Sequence, residues 1–444
     1  MTRLTPPAPT TDLPDGYRMT ELGPLPEAWQ VVRLGEVTQL VRGISWSKKE
    51  QSPDGIPVIA IPNIREGRVS FDIRYRVAKK ISAAKQLYEG DILLVGSSGS
   101  PHNVGRTAIV QGLPFRQATF ASFLVKVIPL DKTERDYIYY LLGSQVVDFV
   151  RCSKRAADGK YNLQVRALKE HLIPLPLLPE QRAIAHVLRA VQDAREVTAR
   201  VIAALRDLKR SLMRHLFTYG PVPVGATGRS PLQQTDIGPI PAHWRVVRLG
   251  EVATTTSGGT PNRNDPGNFG GSIPWLKSGE LQDSPILASE EYLTEYGLRH
   301  SNAKVFPKGS LLIAMYGATA GKVGILEVEA ATNQAICAIL PENSNTLSWY
   351  LFYALIYRRE DLKAQRYGGA QPNLSQRAIR SFKVPLPPLA EQRQIARILQ
   401  TVDRKIAAEE AHKEALDDLF RSLLHHLMTA KIRLPQGFVQ RFEE

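Results

Sequence analysis

Two glycine-containing loops come closest to catalytic chemistry. Gly317-Ala318-Thr319-Ala320-Gly321-Lys322-Val323 has the outline of a phosphate-cradling loop, which needs four residues between its glycines and a Ser or Thr after the lysine to hold magnesium. Here three residues separate the glycines and Val323 follows Lys322. The segment therefore reads as a strand-to-strand turn that leaves Lys322 available to a phosphate. Gly96-Ser97-Ser98-Gly99-Ser100 has serine where a nucleophile elbow has its second glycine, and it runs into Pro101 instead of a helix. It reads as a polar loop, with His102 a loop histidine. The chain carries no Asp/Asn-Pro-Pro-aromatic methyltransferase signature. Without a phosphate loop there is no helicase motor either. Cys152 and Cys337 lack metal-ligand spacing and read as buried small hydrophobes. No cofactor or metal is expected, and the adjacent His425 and His426 read as part of a solvated helix face.

Grip on a polyanion is the chemistry that the residue types do support. The 57 Lys and Arg against 43 Asp and Glu leave a net charge of +14, and a surplus of that size attracts nucleic acid over long range. It concentrates toward the N-terminal half, with 24 basic against 17 acidic residues in 1–179 and 9 against 5 in 180–237. The loop Arg151 to Asn162 offers Lys154, Arg155, Lys160 and Asn162. Its counterpart, Arg366 to Asn373, offers Arg366, Gln371 and Asn373. A second equivalent pair supplies Trp46, Lys48 and Lys49 in one copy and Thr260, Asn262 and Arg263 in the other. Arg106, Lys277 and Lys322 complete the DNA-binding candidates. Arg and Lys suit phosphate contact, and Asn or Gln makes paired hydrogen bonds to an adenine edge. Simple solvated loops are the alternative for both pairs.

These loops recur because the chain is written twice. Gly23-Pro24-Leu25-Pro26-Glu27-Ala28-Trp29, running on to Leu34-Gly35-Glu36-Val37, returns as Gly238-Pro239-Ile240-Pro241-Ala242-His243-Trp244, running on to Leu249-Gly250-Glu251-Val252. Tyr161-Asn162-Leu163 through Pro174-Leu175-Pro176 and Glu180-Gln181-Arg182 returns as Pro372-Asn373-Leu374 through Pro385-Leu386-Pro387 and Glu391-Gln392-Arg393. A period above 200 residues exceeds any solenoid unit, so a whole domain and its following segment are duplicated.

Long helices must separate the copies. From Glu180 to Phe217 the chain has neither Pro nor Gly, and Ile184, Val187, Val191, Ala194, Thr198, Val201, Leu205, Leu208 and Leu212 fall at spacings of three and four. At 1.5 Å per residue such a helix is roughly 57 Å long. The copy keeps Ile395, Ile398, Val402, Leu416, Leu419 and Leu423, interrupted by Lys405, Glu409 and His412. Two matched helices after equivalent domains are expected to pair antiparallel as a coiled coil with pseudo-twofold symmetry. Within the domains, 56–61, 69–77, 91–95, 107–110 and 120–128 read as strands, as do 273–276, 310–315, 323–328 and 335–340. Helices are expected over about 134–150 and 347–365. The class is α+β, without regular β-α alternation.

The expected boundaries are a disordered tail over 1–19, domains over 20–179 and 238–390, long helices over 180–220 and 391–430, a linker over 221–237 and a tail over 431–444. The N-terminal segment lacks the apolar core of a signal peptide, and no apolar run approaches the ~20 residues that span a bilayer. The chain is expected in the cytoplasm.

On these residues the chain resembles the specificity subunit of type I restriction-modification systems. The Pro-x-x-Trp-x-x-x-x-Leu-Gly-Glu opening, the Asn-Leu closure, Pro-Leu-Pro-x-x-x-Glu-Gln and the doubled Glu-Gln-Arg-x-Ile-Ala block carry the likeness over nearly all of residues 20–430. Ser257-Gly258-Gly259-Thr260-Pro261 with Ile273-Pro274-Trp275 is typical of one half of such subunits. Gly43-Ile44-Ser45-Trp46 departs from it, so the two half-sites are expected to differ. The resemblance implies a non-catalytic subunit that reads a bipartite double-stranded DNA sequence, with a spacer set by the helices. It implies two methyltransferase subunits and restriction-translocase subunits as partners, and these would use the adenosyl methionine and ATP. Glu180, Gln181, Arg182, Glu391, Gln392 and Arg393, at the heads of the helices, are the expected partner-binding residues. A stand-alone nuclease and a coiled-coil scaffold without DNA binding are the competing classes.

Overall fold

The computed structural model describes residues 13–221, 231–341, 346–365 and 373–443. It divides into two units, one formed by the chain up to Thr198 together with the segment from His412, the other by Ala199–Ala411. Each unit thus contains one domain, the first half of the helix that follows it and the second half of the other long helix. The architecture is mixed α+β.

In the first unit a six-stranded sheet runs Thr38–Arg42, Leu124–Pro129, Ile92–Val95, Thr107–Ile109, Arg68–Val69 and Ile64–Arg65. Successive side chains of a strand point to opposite faces, and Ile92-Leu93-Leu94-Val95 is apolar at every position because both faces are covered. Ile92 and Leu94 join Tyr137, Trp29 and Ile184 on one side. Leu93 and Val95 join Ile59 and Phe120 on the other. The second unit repeats the device in a five-stranded sheet, where Leu311 and Ile313 meet Trp244, Tyr350 and Ile395 while Leu312 and Ala314 meet Leu276 and Phe306.

Some expected elements are shorter in the structure. The helix expected to reach 150 ends at Gly143, where Ser144 turns extended. The run 69–77 forms two separate strands, Arg68–Val69 and Tyr75–Val77. The second-domain helix divides at Arg358 into Ser348–Tyr357 and Arg359–Lys363. The segment 317–323 is the expected turn, joining strands Leu311–Ala314 and Val323–Leu326.

The repeated motifs bring each domain's ends together. Gln30–Arg33 pairs antiparallel with Leu172–Leu175, and Arg245–Arg248 with Lys383–Leu386. Leu-Gly-Glu follows at once. Leu34 and Leu249 are fully buried, Glu36 and Glu251 each accept a 3.0 Å hydrogen bond from the N–H three residues earlier, and the glycine admits a crossing helix. A Cβ on Gly35 would lie 2.8 Å from Lys169 Cβ.

The long helices are Leu178–Tyr219 and Leu389–Met428, of 42 and 40 residues. They pack antiparallel, and both units contain such pairing. Arg195 meets Asp417 at 2.5 Å in the first; Arg206 meets Glu410 at 2.6 Å and Lys209 meets Asp403 at 2.5 Å in the second. Each domain core is completed by the far end of the other domain's helix. Met213, Leu216 and Phe217 enter the second-unit core, and Leu427 and Met428 the first. The buried seam on the first helix runs through Ile184, Leu188, Thr198, Ile202 and Met213. This corrects the sequence-derived seam at Val201, Leu208 and Leu419, which are 37%, 46% and 45% exposed. Apolar residues at adjacent positions, Val201 beside Ile202 and Ala204 beside Leu205, offer two heptad phases, and packing selects one.

Candidate nucleic-acid interface

In the first domain, backbone hydrogen bonds gather three loops at one edge. Ser153–Arg155 pairs with Tyr161–Leu163, which pairs in turn with Ser97–Ser98. The Leu163 N–H donates to Gly96 O at 2.9 Å, Gly96 N–H to Phe123 O at 2.7 Å, and Ser122 N–H to Ile44 O at 2.7 Å. Arg42 seals the junction with a 2.7 Å bond to Leu163 O. The segments 43–49, 96–103 and 151–162 thereby form one rim.

Of the lysines and arginines on this rim, Arg151 meets Asp148 at 3.3 Å, and several others have no carboxylate partner among the described residues. Lys48, Lys49 and Lys154 are exposed, and among the described residues no carboxylate pairs with them. Arg155 lies over the Tyr161 ring at 6.0 Å, Trp46 packs on Tyr75 at 5.5 Å, and Lys160 pairs with Asp158 at 3.2 Å. Asn162 is half-buried at the middle of the small sheet. Glu50 shapes the Trp46–Lys49 turn. Its carboxylate accepts the Ser47 N–H at 2.8 Å and faces Lys79 at 2.9 Å, and these hold its pKa down to about 2, the Ser47 N–H contributing most. Arg106 stands apart from the rim cations, bracing the fold through a hydrogen bond to Ile64 O.

The second domain builds the same rim with different chemistry. Leu374 N–H donates to Met315 O at 2.9 Å, Met315 N–H to Ala335 O at 2.8 Å, and Gly259 N–H to Thr332 O at 3.0 Å. Arg263, the equivalent of Lys48, lies 4.8 Å over Phe269 and 4.9 Å over Trp275 and pairs with Glu291 at 2.7 Å. Lys277 reaches Glu291 at 2.9 Å and Glu290 at 3.0 Å. The Glu291 contact, followed by Glu290, raises the Lys277 pKa, and the same lysine bond is the main cause holding Glu291 low. Thr260 bonds Gln334, Lys322 bonds Gln282, and Asn262 Oδ1 accepts the Asn264 N–H at 3.0 Å. Asn373 is half-buried, while Arg366 and Gln371 lie outside the described residues.

The Gly43/Gly258 equivalence has a steric cause. A Cβ would lie 2.2 Å from Phe120 O at the first and 2.0 Å from Thr332 O at the second. The next position differs. Ile44 is buried against Val58, Val77 and Ala121, whereas a Cβ on Gly259 would strike the Asn302 backbone at 2.4 Å, and Gly259 O accepts the Trp275 indole N–H at 3.0 Å.

The doubled Glu-Gln-Arg block sits largely inside the units. Glu180 is 4% exposed and accepts from Trp29 at 2.9 Å and Arg433 at 3.2 Å. Glu391 accepts from Trp244 at 2.9 Å and meets His243 at 2.7 Å. Gln181 accepts the Glu134 N–H and donates to Pro176 O, and Gln392 accepts the Leu347 N–H and donates to Pro387 O. Arg182 bonds Phe442 O, while Arg393 is exposed. The sequence reading missed a second feature of the long helices, the apolar phase left outside. Val201, Ala204 and Leu208 with Ala408 in the second unit, and Val197 with Ala415 and Leu419 in the first, are exposed on the flank away from the interhelical ion pairs.

Among the described residues no group of His, Cys, Asp and Glu is placed to hold a metal, and no helix is long and apolar enough to cross a membrane. Residues 26–206 and 241–417 match the family model described as the type I restriction modification DNA specificity domain. The chain is 26% identical to the type I restriction enzyme MjaVIII specificity subunit of Methanocaldococcus jannaschii, covering 92% of this chain and 94% of that one. It is 27% identical to the EcoR124I/EcoR124II specificity subunit of Escherichia coli, over 65% of this chain and 68% of the relative. Its fold is similar to the crystal structure of a type I restriction-modification S subunit from M. genitalium, with TM-score 0.59, 17% identity and coverage of 90% and 96%.

Proposed function

The chain belongs to the type I restriction-modification DNA specificity family, and on that premise we propose that it is the non-catalytic subunit that reads a bipartite DNA target, one half per domain, and directs methyltransferase and restriction partners to it. The observation that carries this reading is the duplicated rim, the same backbone scaffold built twice with different side chains. Two such rims suit two different half-sites, with the long helices setting the spacer. Lys48, Lys49, Lys154 and Arg155 would take phosphates, and Arg263, held from behind by two aromatic rings and Glu291, would present its remaining donors to a guanine edge. The exposed apolar flanks of the helices would receive the partner subunits, with Arg182 and Arg393 beside the helix heads. The chain would work in the cytoplasm, where its DNA is. Methylome sequencing of cells expressing the chain with its partners tests the proposal: a methylated motif of two separated parts is expected, and a single undivided motif would overturn it.

A further inference from the structure

An open cleft of about 570 Å³ in the second domain is lined by Arg248, Arg377 and Arg380. It lies where the turn of helix Leu249–Val252 crosses helix Gln376–Ser381 at Gly250, whose added Cβ would lie 3.2 Å from Arg380 O. All three arginines are exposed, and among the described residues none of their guanidinium groups has an ion-pair or hydrogen-bond partner. Glu251 accepts the Arg248 backbone N–H at 3.0 Å, Gln376 is tied to Thr255, and the Ser381 hydroxyl turns back to Ala378 O at 3.1 Å.

The first domain shows the same scaffold partly neutralised. Arg33, Arg166 and Lys169 occupy the equivalent places, but Glu170 stands where the copy has Ser381, and Arg33 meets it at 3.0 Å and Glu36 at 3.8 Å. Three cations face two carboxylates there, against one in the second domain. The rim charges are distributed the opposite way: Lys48, Lys49 and Lys154 have no carboxylate partner among the described residues of the first domain, whereas Arg263 and Lys277 of the second are paired with Glu290 and Glu291.

We propose that the Arg248–Arg377–Arg380 cleft is a phosphate-binding site of the second domain, gripping the DNA backbone beside its half-site. Planar guanidinium groups suit paired hydrogen bonds to phosphate oxygens. The position suits it too. Gln376 bonds Thr255, two residues before Ser257 leads into the rim loop 258–264, so the cleft flanks the rim and supplies the charge that the rim's own Arg263 and Lys277 have already paired away. The inference rests on the DNA-reading function above.

The test uses the full chain and a duplex carrying its mapped methylation target, with affinity measured against salt. Each phosphate contact contributes about −0.9 to the slope of log K on log salt. Arg377→Gln with Arg380→Gln should make the slope shallower by about 1.8, Ser381→Glu should make it shallower as well, and Arg377→Lys with Arg380→Lys should keep it, while the methylated sequence stays the same. An unchanged slope in folded Gln and Glu variants overturns the proposal. So does loss of partner-subunit capture at unchanged slope, which would assign the cleft to a protein contact. A parent chain that fails to bind its target duplex would instead sink the function from which the inference starts.

Discussion

Trp29 donates its indole N–H to Glu180 across 2.9 Å, and the same bond recurs between Trp244 and Glu391 at 2.9 Å. Each bond ties the opening strand segment of a domain to the head of the long helix that follows it. Burial separates the two copies. The Glu180 side chain is 5% exposed and the Glu391 side chain 24%. Removing a donor from a buried ionised carboxylate costs about 1.5–3 kcal/mol. Trp29→Phe should therefore destabilise the chain by an amount in that range, and Trp244→Phe by less, since water replaces the lost donor at Glu391. Urea midpoints measure both, and equal losses would contradict the role of burial.

The two rims should differ in their response to charge removal. Lys48→Gln, Lys49→Gln and Lys154→Gln remove unpaired cations, so each that contacts a phosphate should make the slope of log K on log salt shallower by about 0.9. Lys277→Gln removes a cation already shared by Glu290 and Glu291 and should change the slope far less. Glu291→Gln releases Arg263, leaves Lys277 with Glu290 as its one remaining carboxylate, and should steepen it. A slope that shifts equally for Lys48→Gln and Lys277→Gln would show that the carboxylates do not screen the second rim.

Much of this organisation was legible in the sequence, and the failures have identifiable causes. Repetition located Trp29, Leu34, Glu180 and their copies, and the apolar run at 92–95 marked a strand, whose cover on both faces the packing supplies. The direction of Glu180 and Gln181 was not legible. A charged and an amide side chain at a helix head read as surface until Trp29, Arg433 and the Glu134 and Pro176 backbone supply their partners. Seam phase was ambiguous for the same reason: Val201 and Ile202 are both apolar, and spacing alone cannot say which faces the other helix. The arginine cleft was invisible because Arg248 and Arg377 lie 129 positions apart and meet only through tertiary packing.

Burial also decides the cysteines. Cys337 is fully buried, and desolvation pushes its thiol up to about 12; burial and then Asp148 raise Cys152 as well. A thiolate forms less readily in the folded chain than in the unfolded one, so the folded state retains its protons as pH rises past the unfolded thiol's value, and stability falls from about pH 9 upward. Neither thiol should react with an aromatic disulfide reagent at pH 8 until denaturant is added. Rapid labelling of the native chain at either position would refute the buried reading.

The two apolar phases of the first long helix make opposite predictions for neighbouring residues. Ile202 is 6% exposed in the seam, and Val201 beside it is 37% exposed on the flank away from Arg206 and Glu410. An aspartate at 202 places an unpaired charge among apolar side chains, which costs several kcal/mol or moves the residue out of the seam, so Ile202→Asp should lower the unfolding midpoint sharply. Val201→Asp and Leu208→Asp change only solvent-facing positions, where stability effects stay within about 0.5 kcal/mol. If those positions form the partner-binding flank, the same two substitutions should abolish co-purification of the methyltransferase subunits while leaving duplex binding by the chain at its parent affinity and salt slope. Retained capture by a folded Val201→Asp, Leu208→Asp double variant would remove the flank from the partner interface, and loss of capture together with DNA binding would point to a damaged fold.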